Sequence, residues 1–341
     1  MKHAVRVLTC FLLLSSLVTA ADITRLKAVR IIKTGQSDVA AKPTVITGLA
    51  MQPGGKTFAS VGDDHQVRLW TTSDGAPVTI LRGHRDWLRT VVFSPDGTML
   101  ATAGDDRRIT IWDVAKRTSL RTIPVGTAVY GIDWSRSGDM LAAVGFDNKL
   151  RIFTASSGKP LDQHDGPCAD LRAVTFSPDG KRVAAAGRNA QVRAWCICDG
   201  CISFEIGAGV ERIRTLAFSP DGTRLVTSGE GRMVGVWNAQ NGEKIADLPC
   251  RSAKVLALAF CGDRLLATGG SDNLVRVWNL DTSSEQYQLY GHTGTVAALA
   301  CDAETGTLVS GSFDTTIRVW KLTDQDEEKV AQPPQDDSSL R

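Results

Sequence analysis

The sequence predicts an all-β protein assembled from seven copies of one unit, and two regularities carry that prediction. An aromatic residue ending a short apolar run recurs at Trp70, Trp112, Phe153, Trp195, Trp237, Trp278 and Trp320, in steps of 41 or 42 residues. A glycine-bearing turn precedes it at a constant phase, as Pro53-Gly54-Gly55, Ser94-Pro95-Asp96-Gly97, Ser135-Arg136-Ser137-Gly138, Ser177-Pro178-Asp179-Gly180 and Ser219-Pro220-Asp221-Gly222. It loosens to Cys261-Gly262-Asp263 and Asp302-Ala303-Glu304-Thr305-Gly306 in the last two copies. A period of this length marks a repeat array, so the 341 residues read as one closed assembly rather than the two domains that length alone suggests.

The chain opens with Lys2 and Arg6, an apolar run from Val7 to Val18, and small residues at Ala20 and Ala21. This reads as a secretory signal, with an apolar run too short for a membrane span. The expected boundaries are therefore 1–21 for the signal, 22–322 for the array and 323–341 for an acidic tail with too little apolar content to fold. Cleavage would leave an exported chain near neutrality, periplasmic or extracellular, with no membrane span. A whole-chain charge of +2 is no footprint for nucleic acid.

Val91–Trp112 shows the unit in full. Val91–Phe93, Met99–Thr102 and Ile109–Trp112 are apolar or β-branched strand runs, separated by Ser94-Pro95-Asp96-Gly97 and Gly104-Asp105-Asp106-Arg107. Proline starts the first turn, and glycine and aspartate tolerate the backbone angles that reverse an antiparallel chain.

Gly83-His84 and Gly291-His292 near the start of a unit and Trp112-Asp113 at the end of one, with near misses at Trp237-Asn238 and Trp278-Asn279, resemble the WD40 repeat family from about Ile23 to Leu322. The resemblance, to an exported bacterial-type member, implies a seven-bladed β-propeller of four-stranded antiparallel blades around a channel. The fourth strand follows the aromatic, as in Pro77–Leu81 or Ser119–Ile123, but only Lys321-Leu322 and the tail follow Trp320. Ile23–Ile32 is therefore expected to supply the missing strand of the last blade and close the ring, removing open sheet edges.

His84, Thr102, Asp106 and Trp112 could pass for a catalytic triad beside a tryptophan. His292, Ser310, Asp314 and Trp320 repeat their spacing, 28, 10 and 6 positions before the tryptophan. Two such sets at one phase match the family's structural tetrad, which implies bracing rather than catalysis. Ser60, Asp64, Trp70 and Thr268, Asp272, Trp278 lack the histidine; Ala143 and Phe153 replace two members around Asp147, and Ala185 and Asn189 replace two in the fourth unit. Blades three and four are accordingly expected to be less rigidly tied than two and seven.

Without Cys10 in the signal, seven cysteines remain. In Cys196-x-Cys198-x-x-Cys201, Asp199-Gly200 reads as a two-residue hairpin turn, which would set Cys198 opposite Cys201 for a disulfide, for plain thiols or for a redox-sensitive hairpin. A metal reading lacks a fourth ligand in the nearby sequence, so no metal and no cofactor are expected. Cys261 and Cys301 read as small packing residues at the end of a first strand.

By phase, the loops entering the first strand and the turns between strands two and three gather at the channel mouth in this family. The first-strand positions are Thr47, Arg89, Tyr130, Arg172, Arg214, Leu256 and Ala297. Trp87, Asp170, Arg212 and Lys254 stand just before them, and Asp105, Phe146, Arg188, Glu230 and Phe313 on the facing turns. The candidate partner surface is therefore Trp87, Arg89, Tyr130, Phe146, Arg172, Arg188, Arg212, Arg214, Lys254 and Phe313, a composition suited to a protein or an acidic peptide. The function expected is a monomeric, non-enzymatic scaffold. The alternative is a redox- or metal-linked accessory of an envelope electron-transfer system working through Cys196, Cys198 and Cys201.

Overall fold

The computed structural model describes residues 23–34, 43–209, 211–250 and 254–322. The segment read as a signal and the acidic tail lie outside the described residues. Within them every regular element is a strand, and no helix is long and apolar enough to cross a membrane.

Seven sheets form the blades of a propeller. Blade two shows how sequence becomes blade. Leu88–Phe93, Met99–Gly104, Arg108–Asp113 and Thr118–Pro124 pair antiparallel in chain order, inner strand to outer. Its two middle strands are buried on both faces, because each blade packs between two others, and they carry small or β-branched residues such as Ala101, Ala103, Ile109 and Ile111. The first strand of each blade lies against that of the next, and Val296–Asp302 of blade seven returns to Ile46–Met51 of blade one.

Closure uses the N-terminal stretch, but in two pieces. β1 (Thr24–Lys27) runs parallel to Ser284–Tyr290 as a fifth strand on blade six, and β2 (Arg30–Lys33) pairs antiparallel with Thr316–Lys321 to complete blade seven. Ile23–Ile32 is thus not one closing strand: Ala28-Val29 interrupts it and carries the chain from one blade to the next. Ile32 is buried with Phe58, Trp70, Ile317 and Val319, and Leu26 with Tyr287 and Leu289.

The same two blades are joined on the inside. Cys261 and Cys301 form a disulfide, with Cα atoms 5.4 Å apart. This corrects the reading of both as packing residues: the ends of neighbouring first strands converge, so positions one repeat apart become contacts. A 40-residue separation stabilises by about 4 kcal/mol in the chain-entropy picture.

Candidate functional site

The same irregularity shapes the first strand of all seven blades. Its pairing with the second strand slips by one residue, at Ile46/Gly48, Leu88/Thr90, Val129/Gly131, Leu171/Ala173, Ile213/Thr215, Val255/Ala257 and Val296/Ala298. The residues left unpaired are Thr47, Arg89, Tyr130, Arg172, Arg214, Leu256 and Ala297, the positions that phase assigned to the mouth. A bulge re-aims the side chain it frees. All seven line one central channel of about 200 Å³. That is smaller than the usual pocket for a small organic ligand, so the chemistry on offer is at the rim. Rim loops and facing turns are tied by the main chain: Asp105 N–H donates to Trp87 O at 2.8 Å, and Phe146 N–H to Ala128 O at 3.0 Å.

On blades two to four the rim side chains form a ladder. The Arg89 guanidinium lies 5.0 Å from the Trp87 ring and 5.5 Å from Tyr130; that of Arg172 lies 3.7 Å from Tyr130 and 5.4 Å from Phe146. Trp87 and Phe146 are 45% and 59% exposed, so the ladder presents open aromatic faces.

The positive groups are less open than their count suggests. Arg89 grips Asp105 through Nε and Nη2, at 3.0 and 2.6 Å, and that bond raises its pKa. Arg214 pairs with Glu230, and Arg212 lies 3.6 Å from both Glu230 and Asp170. Arg172 Nε sits 2.5 Å from Asp170 Oδ1 without its N–H aimed at the oxygen, so the contact is electrostatic rather than a formed hydrogen bond. Asp170 is 7% exposed and holds a left-handed φ of 68°, which aspartate tolerates better than most residues. Exposed Arg188 and Lys254 form no ion pair among the described residues, and Phe313 shares the rim without joining the ladder.

The two tetrads are buried networks. His84 Nδ1 lies 2.8 Å from Asp106 and Nε2 2.8 Å from Thr102 Oγ1, which also accepts the Trp112 N–H at 2.8 Å. His292 repeats this with Asp314 and Ser310, and Ser310 accepts the Trp320 N–H at 2.9 Å. Nδ1 must donate to the carboxylate, so in neutral imidazole Nε2 accepts the hydroxyl proton. With 1% exposure, neither histidine side chain can meet a substrate from solvent.

Burial lowers the His292 pKa. Burial would raise that of Asp314, but bonds from Thr316, the Thr293 N–H and His292 hold it at about 2. A depressed carboxyl pKa supplies stability above its unfolded value that is lost as the pH falls through the folded one. Here the window runs from about pH 4 to about 2 and is worth about 2 kcal/mol. Urea unfolding across this range should show that loss in the wild type and a flatter profile in Asp314→Asn.

Three braces were missed because the search was for histidine. In blades one, three and six an arginine two residues before the aromatic pairs with the turn aspartate: Arg68 with Asp64, Arg151 with Asp147 and Arg276 with Asp272, each at 2.6 Å. The signal was an Asp-x-x-x-Arg spacing in those units. Blade three thus carries an ion pair between its turn and third strand where blades two and seven carry the tetrad. It is also latched to blade four by Asp133, which accepts the N–H of Phe176 at 2.7 Å and of Trp134 at 2.9 Å. Burial pushes the Asp133 pKa to about 6, so ionising this carboxyl costs net stability as the pH rises from about 4 to 6, even though the two N–H bonds themselves favour the charged form.

The cysteine hairpin also departs from expectation. Cys198 and Cys201 are unbridged. The connection is four residues, Ile197 to Gly200, closed by Cys196 N–H to Cys201 O at 2.8 Å and Gly200 N–H to Cys196 O at 2.9 Å. Cys196, not Cys198, faces Cys201. The Asp199 carboxylate and the neighbouring Cys196 push the Cys201 thiol up to about 12.

The family model for WD domain, G-beta repeat matches residues 37–71, 75–113, 117–154, 158–196, 205–238, 242–279 and 283–321. The chain belongs to the WD40 repeat family. Matches two to seven start in or just before the outer strand of one blade and end at the third strand of the next, so each WD40 repeat links two blades. Protein FIZZY-RELATED 3 of Arabidopsis thaliana is 28% identical over 78% of this chain and 48% of its own length. Protein transport protein SEC13 of Yarrowia lipolytica is 28% identical over 35% of this chain and 46% of its own. Phospholipase A-2-activating protein of Xenopus laevis is 48% identical over 16% of this chain and 7% of its own. The chain spans less than half the length of these relatives. WD40 propellers bind protein partners.

Proposed function

We propose that the protein is a non-enzymatic interaction platform that holds a partner protein, or an acidic segment of one, on the ladder Trp87–Arg89–Tyr130–Arg172–Phe146. The observation that carries this is the ladder itself. Bulges aim Arg89, Tyr130 and Arg172 at one mouth, and exposed Trp87 and Phe146 flank them. Aromatic and arginine side chains held rigid in this way are the composition of interface hot spots. An acidic group on the partner suits the rim because, among the described residues, Arg172, Arg212 and Arg214 share Asp170 and Glu230, while Arg188 and Lys254 add exposed positive charge.

The names of two relatives, in protein transport and, for ytm1 of Neurospora crassa, in ribosome biogenesis, suit a platform role without naming this chain's partner. Export of a monomer to the periplasm or exterior remains our reading of residues 1–21 and of their apolar run. The relatives named come from frog, plant and fungi and do not bear on it.

Affinity capture from the native organism's extract tests the platform. Replacing Trp87, Tyr130 and Phe146 by alanine should deplete the captured set, since each hot-spot truncation costs about 2 kcal/mol or more, some 30-fold in Kd. Arg136→Ala, on an exposed turn at the opposite end of a first strand, should leave the set intact. Identical sets from the triple variant and the wild type would remove the ladder from binding. The aromatic variant is cleaner than an arginine one, which would strand Asp105 and Glu230.

A further inference from the structure

The geometry points to a zinc site at the outer hairpin of blade four, made by Cys196, Asp199 and Cys201, at the end of the blade away from the mouth. The two Sγ atoms and a carboxylate oxygen all lie within 4.8 Å of one another. Tetrahedral zinc with bonds of about 2.3 Å to sulfur and about 2.0 Å to oxygen would hold such donors roughly 3.5–3.8 Å apart. Closing the set therefore takes about 1 Å of side-chain movement. Cys198 and Asp199 are exposed, as is Cys201, so nothing packed on them resists it.

The convergence is imposed by the backbone, as sister blades show. The same turn closes in blade one, Thr71 N–H to Ala76 O at 2.9 Å and Gly75 N–H to Thr71 O at 3.1 Å, and in blade five, Asn238 N–H to Glu243 O at 2.7 Å and Gly242 N–H to Asn238 O at 2.8 Å. In these sister hairpins two of the first, fourth and sixth side chains touch: the first and fourth in blade one, the fourth and sixth in blades five and six. Thr71 hydrogen-bonds Asp74 in blade one, Asn241 bonds Glu243 at 2.8 Å in blade five, and Thr282 lies 2.7 Å from Ser284 in blade six. Blade four puts cysteine, aspartate and cysteine at those three positions. Where its relatives hold a neutral or acidic polar pair, this hairpin offers two sulfurs and a carboxylate, the soft and borderline donors that suit zinc.

The frame is also held. Cys201 N–H donates to Asp199 Oδ1 at 3.1 Å, fixing the carboxylate in the loop. Gly200 has φ of 68° and backs onto His164 of blade three; a Cβ there would come within 2.7 Å of the imidazole. His164 stacks on Trp195, with ring centroids 5.8 Å apart, so the loop rests on a packed base. Three donors leave a fourth position for water or for the exposed Cys198 of the same loop. The sequence offered a metal at Cys196, Cys198 and Cys201 as an alternative, without Asp199 among the donors.

The test uses the full chain, reduced, stripped by chelator and titrated with Zn²⁺ by calorimetry and with Co²⁺ by absorbance. One equivalent should bind, and Co²⁺ should give a thiolate-to-metal charge-transfer band with tetrahedral d–d bands. Cys196→Ser and Cys201→Ser should abolish that band and weaken Zn²⁺ binding beyond the roughly 10- to 100-fold typical of losing an outer partner. Asp199→Asn should weaken it with the band retained, and Cys168→Ser should match the wild type. Thermal melts of each variant confirm folding. No charge-transfer band in folded wild type, or equal binding by a folded Cys196→Ser/Cys201→Ser variant, would overturn the site. So would a Cys196–Cys201 disulfide in purified protein together with no metal uptake after reduction.

Discussion

Ile32→Asp is expected to destabilise the ring by on the order of 4–6 kcal/mol, while Ile31→Asp, one residue away, changes stability by less than about 0.5 kcal/mol. The contrast follows from the two-residue period of a strand. In β2 the Ile32 side chain is 8% exposed and packs on Phe58, Trp70, Ile317 and Val319, whereas Ile31 is 50% exposed. Aspartate at position 32 removes the apolar contacts and places a carboxylate with no partner where a closing strand must dock. Domains hold only about 5–15 kcal/mol in total, so the loss consumes much of the margin. The Cys261–Cys301 bridge keeps blades six and seven together even when β2 detaches, so reductant should deepen the defect in Ile32→Asp more than in the wild type. Urea titration of both variants, with and without reductant, measures all of this.

Ser310→Ala should cost about 2–6 kcal/mol, roughly twice the cost of Thr227→Val. Ser310 is fully buried, and its hydroxyl serves two partners: it donates to His292 Nε2 and accepts the Trp320 N–H. Losing it strands a buried donor and a buried acceptor, each costing about 1–3 kcal/mol. Among the described residues the Thr227 hydroxyl bonds Trp237, at 3.0 Å, and blade five has Gly209 at the histidine phase and Gly231 in place of the aspartate. Equal costs for the two substitutions would mean that the histidine arm of the tetrad contributes nothing. Denaturant midpoints decide, provided the slopes agree.

These two expectations also mark what the sequence could and could not disclose. Much that depends on phase within one unit was legible: the strand runs, the tetrads and the seven residues that bulges turn toward the channel. Phase was sufficient because each unit builds the same local hydrogen bonds. What escaped lies between units or in substitutions for the family pattern. Cys261 and Cys301 meet across two blades, and Asp133 latches blade three to blade four, contacts that no single unit contains. Arg68, Arg151 and Arg276 replace histidine with a group of different reach and a different position, so a search for the histidine passes over them. At the rim, Asp105, Asp170 and Glu230 could be set against the basic residues by phase, but that each engages a particular arginine, Arg89, Arg172, Arg212 or Arg214, depends on side-chain reach that phase does not give. The hairpin at Cys196–Cys201 was assigned two turn residues when it has four, which exchanged the facing cysteine.

The claim on which the functional account rests is that a partner docks at the channel mouth, and amide hydrogen exchange with and without the captured partner measures it directly. Binding should protect the rim segments 85–89, 127–131, 145–147 and 170–172 on blades two to four. The turns at the opposite end, 95–98 and 136–139, should exchange at the same rate in both states. Protection confined to those opposite turns or to the outer strands, with the rim unchanged, would contradict the account.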